Sequence, residues 1–111
     1  MPRMSGAEFM ADTMKAYGVT HIFFVPTILS HSLAQMDKKN TGISRVLTHG
    51  EKSAAYMADA YARISGRPGI CMAQIVGGVN LAAGLREAYL ACSPVIAFTG
   101  GTTPSIRYRN P

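Results

Sequence analysis

Two cysteines in 111 residues, Cys71 and Cys92, lack the number and spacing of a disulfide framework or a zinc site. Both lie in apolar segments and are expected to be small core residues. No apolar leader is present: Met1-Pro2-Arg3 runs straight into a segment carrying Glu8 and Asp12, which argues against a signal or transit peptide and makes a cytoplasmic location the expectation. The uncharged stretch from Pro68 to Leu85 is long enough for a membrane span, but Gln74, Gly77, Gly78 and Asn80 interrupt it, so no membrane partner is expected. There is no internal repeat or low-complexity stretch, and no Gly-x-Gly-x-x-Gly or Walker lysine pattern. His21, His31 and His49 have no spacing that makes a metal site, and none is expected within the chain. Acidic residues are few, six Asp and Glu against eleven Lys and Arg, giving a net charge of +5 and a pI of about 9.6. Such a balance raises the question of nucleic acid. Arg45, Lys52, Arg63, Arg67 and Arg86 are nevertheless scattered, and only Arg107 and Arg109 stand together beside an aromatic, Tyr108. A solvated surface with no nucleic-acid partner is the favoured reading. The alternative is a non-enzymatic α/β interaction or nucleic-acid-binding module using that basic C-terminal tail.

What is present points to one globular unit, with 48% hydrophobic residues. Ser5 opens a capping box with Glu8, and Ala7, Met10, Met14 and Tyr17 recur at helical spacing until Gly18. His21 to Val25 reads as a strand ended by Pro26. Leu29, Leu33 and Met36 predict a brief helix behind Ser30, and Ser44 to Thr48 a second strand. Alanines 54, 55, 58, 60 and 62 with Met57, Tyr61 and Ile64 predict a helix over Lys52 to Ile64, ended by Ser65-Gly66-Arg67-Pro68-Gly69. Ile70 to Ile75 is a third strand, Asn80 caps a helix reaching about Ala91, and Val95 to Thr99 is a fourth strand after Pro94. This alternation predicts an α/β fold, an open parallel sheet with its strands buried between helices on both faces. Ligands of such sheets bind beyond the carboxyl ends of the strands. That edge gathers Pro26-Thr27, His49-Gly50-Glu51, Val76 to Asn80, and Gly100 to Thr103.

Glu51 stands at the start of the alanine-rich helix, where the helix dipole and free N–H groups favour a carboxylate without any catalytic role. Gly77-Gly78 ahead of Asn80 suits a phosphate cradle or a plain turn.

The run from Thr48 to Arg63, THGEKSAAYMADAYAR, continuing through Ser65-Gly66-Arg67-Pro68-Gly69-Ile70-Cys71, resembles the N-terminal domain of the acetolactate-synthase-like thiamine-diphosphate enzymes. There a glutamate precedes the alanine-rich helix, followed by Ala-Asp-x-Tyr-Ala-Arg and Thr/Ser-Gly-x-Pro-Gly. Gly18-Val19, Phe23, Val25-Pro26, Asn80-Leu81, Ser93 to Ile96 and Thr99-Gly100 extend the resemblance over nearly the whole chain.

The resemblance implies that residues 1–111 are a pyrimidine-binding domain, and the polar ending from Arg107 to Pro111, without a closing helix, leads us to expect it to be incomplete at its C-terminal end. It implies thiamine diphosphate as cofactor and Glu51 as the catalytic carboxylate that hydrogen-bonds N1′ of the aminopyrimidine. Further cofactor contacts fall at Pro26, Thr27, Val76, Gly77 and Asn80. The implied activity is decarboxylation or ligation of small 2-oxo acids by a homo-oligomer, a dimer or tetramer. A partner subunit's domain would hold the diphosphate and Mg2+, whose Gly-Asp-Gly motif is absent here. Phe24 and Thr27 replace usual glycines, and Ile75-Val76-Gly77 replaces Gly-Pro-Gly, which argues for a substrate pocket unlike that of acetolactate synthase itself.

Overall fold

The computed structural model describes residues 3–26, 29–101 and 105. Helix α1 (Gly6–Ala16) starts at the expected capping box: the Ser5 hydroxyl accepts from the Glu8 N–H, and the Glu8 carboxylate takes the Ser5 N–H at 2.8 Å. It is followed by β1 (His21–Phe24), α2 (Ser30–Lys38), β2 (Ser44–Leu47), α3 (Glu51–Ser65), β3 (Gly69–Ala73), α4 (Gly77–Leu90) and β4 (Val95–Thr99). All pairings are parallel, and the strands lie in the order β2-β1-β3-β4.

Alternation along the central strands decides which helix covers which face. Ile22 on β1 and Ile70 and Met72 on β3 pack with Ala11 and Met14 of α1 and Leu33 and Met36 of α2. Phe23, Cys71 and Ala73 point to the other face, against Ala54, Ala55 and Ala58 of α3 and Leu81 of α4. A buried Ile or Met contributes roughly 1.5–3 kcal/mol, so these two layers are the main source of cohesion. From β1 the chain crosses outward to β2 through α2, and from β3 it crosses to β4, in the other direction, through α4 on the opposite face. Both crossovers are therefore of one hand, as parallel connections require. The divergence places a switch point between β1 and β3, and ligands of open parallel sheets bind beyond the carboxyl ends of the strands at such a point.

Several expectations are corrected. The edge strands β2 and β4 are not buried between helices: only β3 is buried throughout. Strand β3 ends at Ala73, so Ile75 lies outside it and is exposed. Tyr17 is 85% exposed instead of completing the α1 stripe, because the helix ends at Ala16 and Ala11 and Met14 face the core. Cys92 is exposed, since it occupies the left-handed turn that closes α4 (φ 53°), and only Cys71 is a core cysteine. Asn80 does not cap α4. The helix begins three residues earlier at Gly77, and Asn80 falls within its first turn.

Candidate functional site

Parallel pairing of Phe24 with Leu47 and Met72, and of Ala73 with Thr99, brings all four strand exits to one edge. At the β2 exit a buried threonine sets the next helix. The Thr48 hydroxyl donates toward the Phe24 carbonyl at 3.2 Å and the Gly50 carbonyl at 3.0 Å. The Thr48 N–H also donates to the Phe24 carbonyl, at 2.9 Å. Gly50 has extended backbone and offers no capping side chain, so Thr48 ties the start of α3 to the end of β1. Glu51 is thus the first residue of a helix anchored to the sheet.

Its side chain leans onto the first turn of α4. The Asn80 amide donates to Glu51 Oε2 at 3.3 Å. Gly77, buried, lies under the carboxylate: a Cβ there would overlap Oε1 and come within 2.9 Å of Glu51 Cδ and Cγ. Two helix N-termini therefore converge on one carboxylate, both favouring negative charge. Glu51 and Asn80 open into a depression of about 440 Å³ lined also by His49, Gly50, Lys52, Ser53 and Ala83.

A larger recess of about 490 Å³ lies at the opposite end of the sheet, lined by Tyr17, Val19, Thr20, Tyr61, Arg67 and Ile96 among others. It contains no carboxylate, and its Thr20 and Tyr61 hydroxyls satisfy each other at 2.6 Å. The smaller depression holds a carboxylate, that of Glu51.

Of the other residues expected at the site, Gly77 and Asn80 meet Glu51 directly. Val76 precedes α4 and is 82% exposed, and Pro26 is an exposed bend beyond β1; neither lines the depression. Thr27 lies outside the described residues, as do Thr102, Thr103 and the Arg107-Tyr108-Arg109 tail. Thr48, Lys52, Ser53 and Ala83 are not among the residues that the sequence assigns to the site. A hydroxyl three residues ahead of a helix's first residue is a weak signal, because its partners are carbonyls brought together by the sheet.

No group of three or more His, Cys, Asp or Glu among the described residues is placed to hold a metal ion. No helix among them is long and apolar enough to cross a membrane. Cys71 is held as a thiol by burial, which pushes its pKa up to about 12, so it is no nucleophile.

Comparison with known proteins follows the same residues. A family model described as "Thiamine pyrophosphate enzyme, N-terminal TPP binding domain" matches residues 4–110. The chain is 35% identical over 96 residues to an acetolactate synthase, chloroplastic, of Arabidopsis thaliana, covering 86% of this chain and 14% of that protein. It is 36% identical over 102 residues to an acetolactate synthase of Arthrospira platensis, with 88% and 18% covered. It is 39% identical over 100 residues to a probable acetolactate synthase large subunit of Methanocaldococcus jannaschii, with 87% and 16% covered. The chain thus spans less than a fifth of the length of these relatives.

Proposed function

The chain belongs to the family of thiamine pyrophosphate enzyme N-terminal TPP-binding domains, and from that premise we propose that Glu51 is the carboxylate that meets the cofactor's aminopyrimidine. The enzyme served would decarboxylate or ligate small 2-oxo acids in the manner of acetolactate synthases. The observation that carries the reading is the seat of Glu51: a carboxylate at the mouth of a depression, resting where any side chain at residue 77 would displace it. That seat fits a ring nitrogen needing an acid–base partner.

The bound cofactor supplies an electron sink for making and breaking the bond beside the substrate carbonyl. The protein's part is narrower. Glu51 holds or yields one proton at a carboxylate oxygen turned to the ring. Pro26, Val76 and Gly77 lie at the same sheet edge and would contact the cofactor, Pro26 and Val76 from outside the depression, and the resemblance adds Thr27 to them. Asn80 is the remaining cofactor-side residue, and its geometry toward Glu51 is taken further below.

Mg2+ needs oxygen ligands, and no cluster of acidic side chains among the described residues offers them; the diphosphate is bound together with its metal. We assign both to a second domain, contributed by a partner subunit of a homodimer or homotetramer. No nucleic-acid partner is part of this reading. A cytoplasmic location belongs to this reading.

The test is Glu51→Gln in the holoenzyme, which keeps size and polarity but removes the ionisable proton. Proton exchange at C2 of bound thiamine diphosphate is expected to fall by at least about 100-fold, as for loss of a general acid–base group, with the melting temperature retained. An unchanged exchange rate would remove Glu51 from the mechanism.

A further inference from the structure

We infer that Asn80 is a positioning residue for Glu51, an assignment that rests on the reading of Glu51 given above. Asparagine is a favoured N-cap, yet here it caps nothing: α4 starts at Gly77, and the Asn80 amide is directed across to another helix, onto Glu51 Oε2 at 3.3 Å. Gly77 and Asn80 are three residues apart and so share one face of α4. The first turn of α4 therefore presents a notch and a donor to the same carboxylate, with Gly77 leaving room beside Oε1. A glutamate at a helix start facing an open depression would otherwise sample several rotamers. An amide is suited to hold it, because it donates without carrying charge and so orients the carboxylate without neutralising it. Asn80 lines the depression beside Glu51, so its own contact with the cofactor is the competing role.

The experiment compares Asn80→Ala, Asn80→Asp and Asn80→Gln in the holoenzyme, with Glu51→Gln alongside. For Asn80→Ala the C2 proton exchange rate is expected to fall about tenfold, the loss of one hydrogen bond to a charged group, with the cofactor dissociation constant changed less than about twofold. Asn80→Asp, which replaces the donor by a like charge, loses more, and Asn80→Gln recovers part of the rate. In the 111-residue chain without cofactor, the Asn80 side-chain amide NMR signals should follow ionisation of Glu51 and cease to do so in Glu51→Gln. Unchanged exchange in Asn80→Ala overturns the inference, and so does a loss of cofactor affinity that accounts for the whole rate change. If Glu51→Gln itself leaves exchange unchanged, the failure lies with the reading of Glu51.

Discussion

Asp59 is withdrawn from water, at 5% exposure, and yet sits in a helix whose neighbours are chiefly alanine. It keeps its charge because Arg63, one turn on, grips it with two bonds of 3.0 and 2.7 Å and reaches on toward Glu87 of α4 at 3.7 Å. The Arg63 guanidinium holds the Asp59 carboxyl below the usual carboxylate range, against burial, which raises it. A carboxylate lowered on folding stabilises the fold above its unfolded pKa of about 3.9 and loses that contribution as pH falls through the lower folded value. Asp59→Asn is therefore expected to cost about 1–2 kcal/mol at pH 7, a range kept low because Arg63 is 44% exposed. The gap to the parent should narrow below about pH 4. Urea midpoints at pH 7 and pH 3 check this, and a gap of equal size at both would show that only shape was lost.

At the scale of elements, the distance between α3 and α4 controls the site, because one helix carries Glu51 and the other Gly77 and Asn80. Gly84 sets that distance: a Cβ there would stand 2.6 Å from the Ala55 Cβ and 2.7 Å from the Lys52 carbonyl oxygen. In an open helix position, Gly→Ala stabilises by up to about 1 kcal/mol. Here the expected sign is reversed. Gly84→Ala should destabilise by about 1–3 kcal/mol, the cost of overpacking, as seen in thermal unfolding. A stabilised variant would show that the helices are free to part.

These two helices also mark how far the sequence could be read. The alanine face of α3 and the Ser5–Glu8 box announce themselves locally, by spacing and by residue type, and Pro26 and Pro94 punctuate strands for equally local reasons. The start of α4 does not, because Asn80 is a better cap by chemistry than Val76, and what carries the helix back to Gly77 is a tertiary fit beneath Glu51. The close of α4 is hidden as well. The Ser93 N–H returns to the Ala88 carbonyl and the Cys92 N–H to that of Tyr89, the same pattern that Gly18 makes after α1 and Asn40 after α2. Glycine and asparagine advertise that left-handed turn; cysteine does not. Glu51 itself was legible only through the family-like run around it, since a first-turn glutamate is ordinary helix chemistry.

For the whole molecule, the proposed reading makes the site one half of a larger one, and the chain by itself is expected neither to bind thiamine diphosphate tightly nor to catalyse a reaction. The depression beside Glu51 has room for a ring, but the cation in its lining is exposed Lys52, and no metal-binding group among the described residues accompanies it. An aminopyrimidine of about eight heavy atoms makes few contacts to offset the roughly 4 kcal/mol or more of translational and rotational freedom lost on association, so the ring alone does not bind tightly. The net charge of +5 attracts the diphosphate at long range, but that attraction is screened at physiological salt. Meanwhile α3 and α4 expose Tyr56, Met57, Ile64, Val79, Tyr89 and Leu90, with Ile64 at 88% and Tyr89 at 78%. Apolar surface of this extent favours association. Calorimetric titration with thiamine diphosphate and Mg2+ in 0.15 M salt, about the physiological value, should therefore show no micromolar binding, while sedimentation of the same sample shows species larger than a monomer. Micromolar binding by a monomeric chain would mean that these residues hold the diphosphate unaided, and the division of the cofactor between two domains would have to be given up.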